Sequence, residues 1–166
     1  MGIAGLGRIG EAIAERALPF QLQIAYHNRS PKKLPYTYFD RLEELAANCD
    51  ILLCMLPGGE STQNVMNAEI FSALGPTGYF INVGRGSSVD EAALIHALKS
   101  ESIAGAGLDV YKDEPHIPEA LRNLKNVVLL PHIGSATIKT RRAMGRLLFD
   151  NLHAFFSGNP LLTEVL

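Results

Sequence analysis

Apolar and polar positions along this chain follow two alternating rhythms. Short apolar runs closed by turn residues recur, and between them the apolar positions fall at helical spacing. That succession predicts an α/β domain, a doubly wound parallel sheet with helices on both faces. Residues 1–4 read as a first strand, and Arg8–Leu18 as a helix stopped by Pro19. Further strands are predicted at Leu22–Tyr26, Tyr36–Phe39, Asp50–Met55, Tyr79–Val83, Ile103–Val110 and Asn126–Leu130. The third of these reads as a continuous apolar run, as expected of a strand covered on both faces. Helices are predicted from Asp40-Arg41-Leu42-Glu43, over Asn67–Leu74, from Ser88-Val89-Asp90-Glu91 to Lys99, and over Thr137–Phe156. The first and third of these open on cap signatures, Asp-x-x-Glu and Ser-x-x-Glu.

The stretch between the first strand and helix is Gly5-Leu6-Gly7-Arg8-Ile9-Gly10, a G-x-G-x-x-G run. In that setting Gly5 makes the tight turn, Gly7 admits a pyrophosphate to the backbone, and Gly10 lets the helix lie close to the sheet. Free N–H groups and the positive end of the helix dipole then favour phosphate. The motif alone also fits a packing turn; its place between an apolar strand and an apolar helix favours dinucleotide binding.

Composition narrows the class. The chain has 166 residues, 47% hydrophobic and 19% charged, with a formal net charge of −2. That suits one domain with a real core and argues against a general nucleic-acid or membrane-surface binder. No stretch approaches the ~20 apolar residues of a membrane span, and no leader is read before the first strand. Cys49 and Cys54 are too few and wrongly spaced for a metal site or disulfide framework, so they read as reduced cysteines in a cytoplasmic protein.

The far end of the dinucleotide gives a second clue. NAD-binding versions of this unit place an acid at the end of the second strand, on the ribose 2′-hydroxyl. Here that place falls at Asn28, followed by Arg29, Ser30, Lys32 and Lys33. A 2′-phosphate would meet attraction rather than carboxylate repulsion. The expected cofactor is NADP(H), with NAD possible; a solvated basic loop is the bland alternative.

Four polar residues follow strands on the edge that carries the glycine turn: Arg85, Asp109, Glu114 and His132. Ligands of open parallel sheets bind outside the carboxyl ends of the strands. A guanidinium there can grip a carboxylate, and a histidine can exchange the proton that accompanies hydride transfer. A carboxylate beside that histidine would favour imidazolium. Singly, each could be a surface residue. His27, His96, His116 and His153 read as structural or solvated.

Together these motifs carry a resemblance. Gly5–Gly10, Asn82-Val83-Gly84-Arg85-Gly86, Ala106-Gly107-Leu108-Asp109-Val110 with Glu114-Pro115, and Pro131-His132-Ile133-Gly134-Ser135-Ala136-Thr137 stand in order along the chain. They resemble the coenzyme domain of the D-isomer-specific 2-hydroxyacid dehydrogenases, nearest the glyoxylate/hydroxypyruvate and hydroxyphenylpyruvate reductase branch.

The resemblance implies a Rossmann-type domain over residues 1–166 that transfers hydride between NADP(H) and a 2-oxoacid/D-2-hydroxyacid pair. It implies that Arg85 binds the substrate carboxylate, His132 donates the proton and Glu114 orients and charges His132. Leu6, Gly7, Arg8 and Ile9 would hold the pyrophosphate, and Asp109 and Val83 the nicotinamide side. Asn28, Arg29 and Ser30 resemble the NADP-preferring members. Leu56, Pro57 and Thr62 would form the cleft wall, and Gly134 is a further coenzyme contact. The family's separate substrate domain has no counterpart here, so only the coenzyme domain is expected. The tail, about 152–166, would then have lost its packing partner, and the isolated piece would be feebly active. The resemblance also implies a homodimer through the coenzyme domain. A dinucleotide-sensing module without turnover is the alternative from another functional class.

Overall fold

Seven short parallel strands build one sheet, and their spacing follows the apolar runs of the sequence. They are β1 (Gly2–Ala4), β2 (Ala25–His27), β3 (Thr37–Tyr38), β4 (Ile51–Cys54), β5 (Tyr79–Asn82), β6 (Gly105–Leu108) and β7 (Val127–Leu129). The computed structural model describes residues 1–164. Strand order is β3-β2-β1-β4-β5-β6-β7, with every pairing parallel. The order reverses between β1 and β4, which is where such sheets open a crevice for a ligand. The expected doubly wound parallel sheet is therefore present.

Period-two alternation divides the side chains between two apolar layers. Ile3, Tyr26 and Leu53 face one layer, with Ala14 and Ala17 of helix α1 (Arg8–Ala17). Ala4, Leu52, Cys54 and Phe80 face the other. That second layer is filled by α2 (Leu42–Ala47), α3 (Ala68–Leu74) and α4 (Glu91–Lys99). Phe71 and Phe80 are fully buried there, their rings edge to face at 5.2 Å. Such a pair contributes roughly 0.5–1.5 kcal/mol beyond its buried area.

The chain divides into two compact units, Met1–Pro131 and His132–Leu166. The sheet and the five helices up to α5 (Glu119–Arg122) belong to the first. α5 is only four residues long, too short to register as a periodic signal in the sequence. In the second unit, helix α6 (Ile138–Phe156) is capped by Thr137, whose hydroxyl accepts from the Thr140 N–H at 3.1 Å. Among the described residues of α6 only Ala154 is buried. The tail returns to its own helix: Asn151 Oδ1 accepts from the N–H groups of Leu162 and Thr163 at 3.0 and 3.2 Å. Residues 165–166 of the anticipated tail lie outside the described residues.

Both predicted cap boxes are corrected. α2 starts after Arg41, with no side-chain cap bond, while Asp40 accepts from the Tyr38 hydroxyl at 3.1 Å. α4 is capped by Asp90, whose Oδ1 accepts from the Ala93 N–H at 3.1 Å. Ser88 cannot cap it, because Ser88 and Asp90 are stitched to Met66 by backbone bonds of 2.9 and 3.0 Å. Ser88 itself closes a 3-10 turn over Gly86–Ser88, only Val89 and Asp90 are extended before the helix, and Glu91 instead accepts from the Lys112 N–H at 2.9 Å. Strand limits also contract. Ile103–Val110 forms a strand only over Gly105–Leu108, the four residues that pair with β5. Leu22–Tyr26 shifts to Ala25–His27, the three residues that face β1.

Candidate functional site

The glycine turn leaves β1 at the point where strand order reverses. Gly5 has φ +92°, a left-handed conformation that favours glycine, and a Cβ there would lie 2.9 Å from the Met55 carbonyl oxygen. A Cβ on Gly10 would lie 3.0 Å from the Gly5 oxygen, so this glycine sets how closely α1 meets the sheet. Above Gly7 there is open space. No side chain caps α1. The Leu6 N–H donates to Asn28 Oδ1 at 2.7 Å and the Gly7 N–H to the Gly5 oxygen at 2.9 Å. Among the described residues, no acceptor takes the N–H of Arg8 or Ile9. Those two groups, with the helix dipole behind them, fit a pyrophosphate.

A cavity of about 430 Å³ opens beside this turn, above the carboxyl ends of β1, β2 and β4. Gly5, Leu6, Gly7, Asn28, Arg29, Ser30, Leu56, Pro57 and Thr62 all line it, so nine residues anticipated from sequence share one wall. Thr62 is fixed there by donating its hydroxyl to the Pro57 oxygen at 2.7 Å. Lys32 of the basic run lines it too, as does His27, which the sequence read as structural or solvated; Met55, Ser61 and Val65 also line it, and sequence reasoning missed them. The available signal was adjacency: His27 and Met55 stand next to Asn28 and Leu56. Asn28 differs from expectation in detail. Its amide clasps the Leu6 backbone, accepting at 2.7 Å and donating at 3.4 Å, while Arg29 and Ser30 beside it are exposed. Among the described residues no carboxylate lines this cavity.

A larger groove, about 700 Å³, is lined by Lys99, Ile103, Ala104, Lys125 and Asn126, before β6 and β7 begin. It lies at the amino ends of the strands, away from the glycine turn and the polar strand ends, and is not the candidate site.

At the carboxyl ends of β5 and β6 the remaining first-unit residues gather. Val83 is partly exposed just past β5. Asp109 is buried, and its N–H donates to the Asn82 oxygen at 3.0 Å. Arg85 is exposed, but its backbone is held from beneath. Ser88 Oγ donates to the Arg85 oxygen at 2.7 Å and Asn82 Nδ2 to the same oxygen at 3.1 Å. Asn82 Oδ1 meanwhile accepts from the buried Gly84 N–H at 3.0 Å. Asn82 and Ser88 are buried, and Cys54 Sγ lies 3.3 Å from Ser88 Oγ. Burial pushes the Cys54 thiol pKa up, so it stays protonated. The Arg85 side chain passes the Pro57–Gly58 segment, 3.5 Å being the separation of its Cγ from a Cβ built on Gly58. The Arg85 guanidinium donates through Nη1 to the Gly84 oxygen at 2.8 Å.

Gly86 presses on the next loop. A Cβ there would lie 1.9 Å from the carbonyl carbon and oxygen of Tyr111. In that loop Glu114 Oε1 accepts from the Tyr111 N–H at 3.0 Å. Tyr111 donates its hydroxyl to the Leu130 oxygen at 2.8 Å, and burial raises its pKa. Arg85 and Glu114 are thus set on two loops in backbone contact. His132 and Gly134 open the second unit. His132 follows the last residue of β7 by three positions and has φ +52°.

Comparison with known proteins matches this arrangement. Residues 1–134 fit the model of the D-isomer specific 2-hydroxyacid dehydrogenase, NAD binding domain. The chain is 52% identical over 166 residues to hydroxyphenylpyruvate reductase of Plectranthus scutellarioides, covering 99% of this chain and 53% of that protein. It is 49% identical to glyoxylate/hydroxypyruvate reductase A of Arabidopsis thaliana, with 99% and 53% covered. A crystal structure of NADPH-dependent glyoxylate/hydroxypyruvate reductase from Sinorhizobium meliloti, in complex with NADP and malonate, superposes with a TM-score of 0.95. Sequence identity there is 53%, covering 99% of this chain and 52% of that one. The chain spans about half the length of the curated relatives it matches. With glycine turn, strand order and family model in agreement, the chain belongs to the NAD-binding domain of the D-isomer specific 2-hydroxyacid dehydrogenases.

Proposed function

We propose that the chain is the NADP(H)-binding half of a reductase that interconverts a small 2-oxoacid, such as glyoxylate or hydroxypyruvate, and its D-2-hydroxyacid. The observation that carries this reading is the cavity at the switch point. It joins an uncapped glycine turn to Arg29 and Ser30, with no carboxylate among the described residues that line it to repel a 2′-phosphate. The resemblance to an NADPH-dependent reductase bound to NADP and malonate supports the same cofactor and a small carboxylate ligand.

When bound, NADPH would supply the hydride for the substrate's carbonyl carbon. Arg85 grips the substrate carboxylate through paired N–H donors. His132 gives its proton to the carbonyl oxygen, and Glu114 favours the imidazolium form that reduction requires. Asp109 and Val83 hold the nicotinamide side, and Gly134 adds a backbone contact to the coenzyme. The exposed apolar residues Leu152, Phe155, Phe156, Leu161 and Leu162 are proposed to pack on a substrate domain, with coenzyme domains pairing as a homodimer. Two free cysteines suit a reducing, cytoplasmic setting; among the described residues no helix is long and apolar enough to cross a membrane.

The test is His132→Ala in the complete protein, followed by NADPH oxidation with hydroxypyruvate. Turnover falls by ~10²–10⁴, the scale of general acid catalysis, while NADPH affinity stays within about twofold. Full turnover by the variant would overturn the catalytic assignment. An unmutated complete protein that binds NADPH but reduces no 2-oxoacid would mark a sensing module instead.

A further inference from the structure

The loop that carries Arg29 and Ser30 is gripped from below at both ends by a pair of tyrosines. Tyr26, in the middle of β2, is 1% exposed. Its hydroxyl uses both of its capacities on one residue, accepting from the Lys32 N–H at 2.8 Å and donating to the Lys32 oxygen at 3.2 Å. On neighbouring β3, the Tyr38 hydroxyl lies 3.2 Å from the Asn28 oxygen, sharing its hydrogen with Asp40 Oδ1 at 3.1 Å. The two rings pack at 5.3 Å, inclined by 54°. Asn28 is also clasped to Leu6, and Lys32 is ion-paired to Glu11 of α1 at 2.5 Å. Only Arg29, Ser30 and Pro31 lie between these anchors, all exposed.

A fully buried phenol that spends its hydroxyl on a surface loop needs a reason. A five-residue exposed loop would otherwise sample many conformations, and a phosphate binding it would bear the cost of ordering it. Fixing the loop beforehand lowers that cost without adding a contact. The anchors lie on backbone atoms of Asn28 and Lys32, so the arginine and serine side chains stay available to the cavity they line.

We propose that Tyr26, assisted by Tyr38, is a positioning residue for dinucleotide choice: it presets the Asn28–Lys32 loop so that Arg29 and Ser30 meet a ribose 2′-phosphate. This rests on the reading above that the loop recognises that phosphate. Tyr26 is buried and is not among the residues lining the cavity, so it acts through Arg29.

Tyr26→Phe keeps the ring and removes both bonds. Binding of adenosine 2′,5′-bisphosphate and of adenosine 5′-diphosphate is measured by calorimetry on the 166-residue chain, with circular dichroism confirming the fold. Expected is a loss of about tenfold for the 2′,5′-bisphosphate and less than about twofold for the 5′-diphosphate. In an Arg29→Ala background the further loss from Tyr26→Phe disappears, because the two act as one unit. Tyr38→Phe, which frees the other end, shifts the same probe in the same direction. Unchanged binding of the 2′,5′-bisphosphate by both folded tyrosine variants overturns the proposal. So does equal weakening of both probes, or a tyrosine effect that persists without Arg29. If Arg29→Ala itself leaves the 2′,5′-bisphosphate untouched, the phosphate reading of the loop falls first and the positioning role with it.

Discussion

Removing one hydroxyl beneath Arg85 tests whether the buried polar cluster fixes that residue's backbone. Ser88→Ala deletes the 2.7 Å bond to the Arg85 oxygen and the contact with Cys54 Sγ. The Arg85 oxygen keeps its 3.1 Å bond from Asn82, so no strong acceptor is orphaned. The cost is one net hydrogen bond, about 1 kcal/mol, with a few tenths more for the thiol. Asn82→Ala is harsher. It removes the 3.1 Å donor and strands the buried Gly84 N–H, whose 3.0 Å acceptor is Asn82 Oδ1. An unsatisfied buried donor adds about 1–3 kcal/mol, giving a total of roughly 3 kcal/mol. Urea unfolding of the 166-residue chain reads both, with the slope unchanged if only stability moves. The expected order is wild type, then Ser88→Ala, then Asn82→Ala. A Ser88→Ala variant within about 0.3 kcal/mol of wild type, or one less stable than Asn82→Ala, would refute the reasoning.

Further outcomes follow from the same geometry. Arg29→Ala should weaken NADPH roughly tenfold or more, the loss of a charge-assisted bond, and leave NADH within about threefold by calorimetry; equal losses would contradict a phosphate role. Gly86→Ala drives its added Cβ into the Tyr111–Lys112 peptide, 1.9 Å from Tyr111 backbone atoms, so it should cost about 2 kcal/mol or more in urea unfolding; wild-type stability would show that the loops do not abut. Burial raises the pKa of the Cys49 and Cys54 thiols and of Tyr111, so each holds its proton more tightly folded than unfolded. Stability is therefore full below the unfolded thiol pKa near about 8.5 and is lost as pH rises through the folded values. Thermal midpoints should fall between about pH 8 and about pH 10; a rising midpoint would contradict the burial argument.

What could be read directly from the sequence is what local chemistry dictates. Gly5 and Gly10 announce a turn that no side chain fits, and all seven strands appear as apolar runs between turn residues. The ends of elements were less legible because distant partners set them. Ser88 has the look of an N-cap, yet it closes the 3-10 turn before Val89, its oxygen accepts from the Met66 N–H and its hydroxyl goes to Arg85. Ile103–Val110 is apolar beyond the four residues that β5 can pair. Residue identity singled out Arg29, Arg85 and Glu114 as candidates, but not what holds them. Asn82 was visible only as a member of a motif; its two hydrogen bonds, one from the Gly84 N–H and one to the Arg85 oxygen, need the strand end folded over. Asn28 marked the expected ribose position and proved to clasp the glycine turn. Tyr26 reads as core from sequence, and only its hydroxyl's reach to Lys32 reveals a second task.

The claim beneath all of this is that a phosphorylated dinucleotide lies across the carboxyl ends of β1, β2 and β4. Titrating the chain with NADPH and with NADH by calorimetry tests it most directly. Expected is one site per chain, with NADPH bound at least about tenfold more tightly and the preference abolished by Arg29→Ala. No heat with either nucleotide, or tighter binding of NADH, would contradict it.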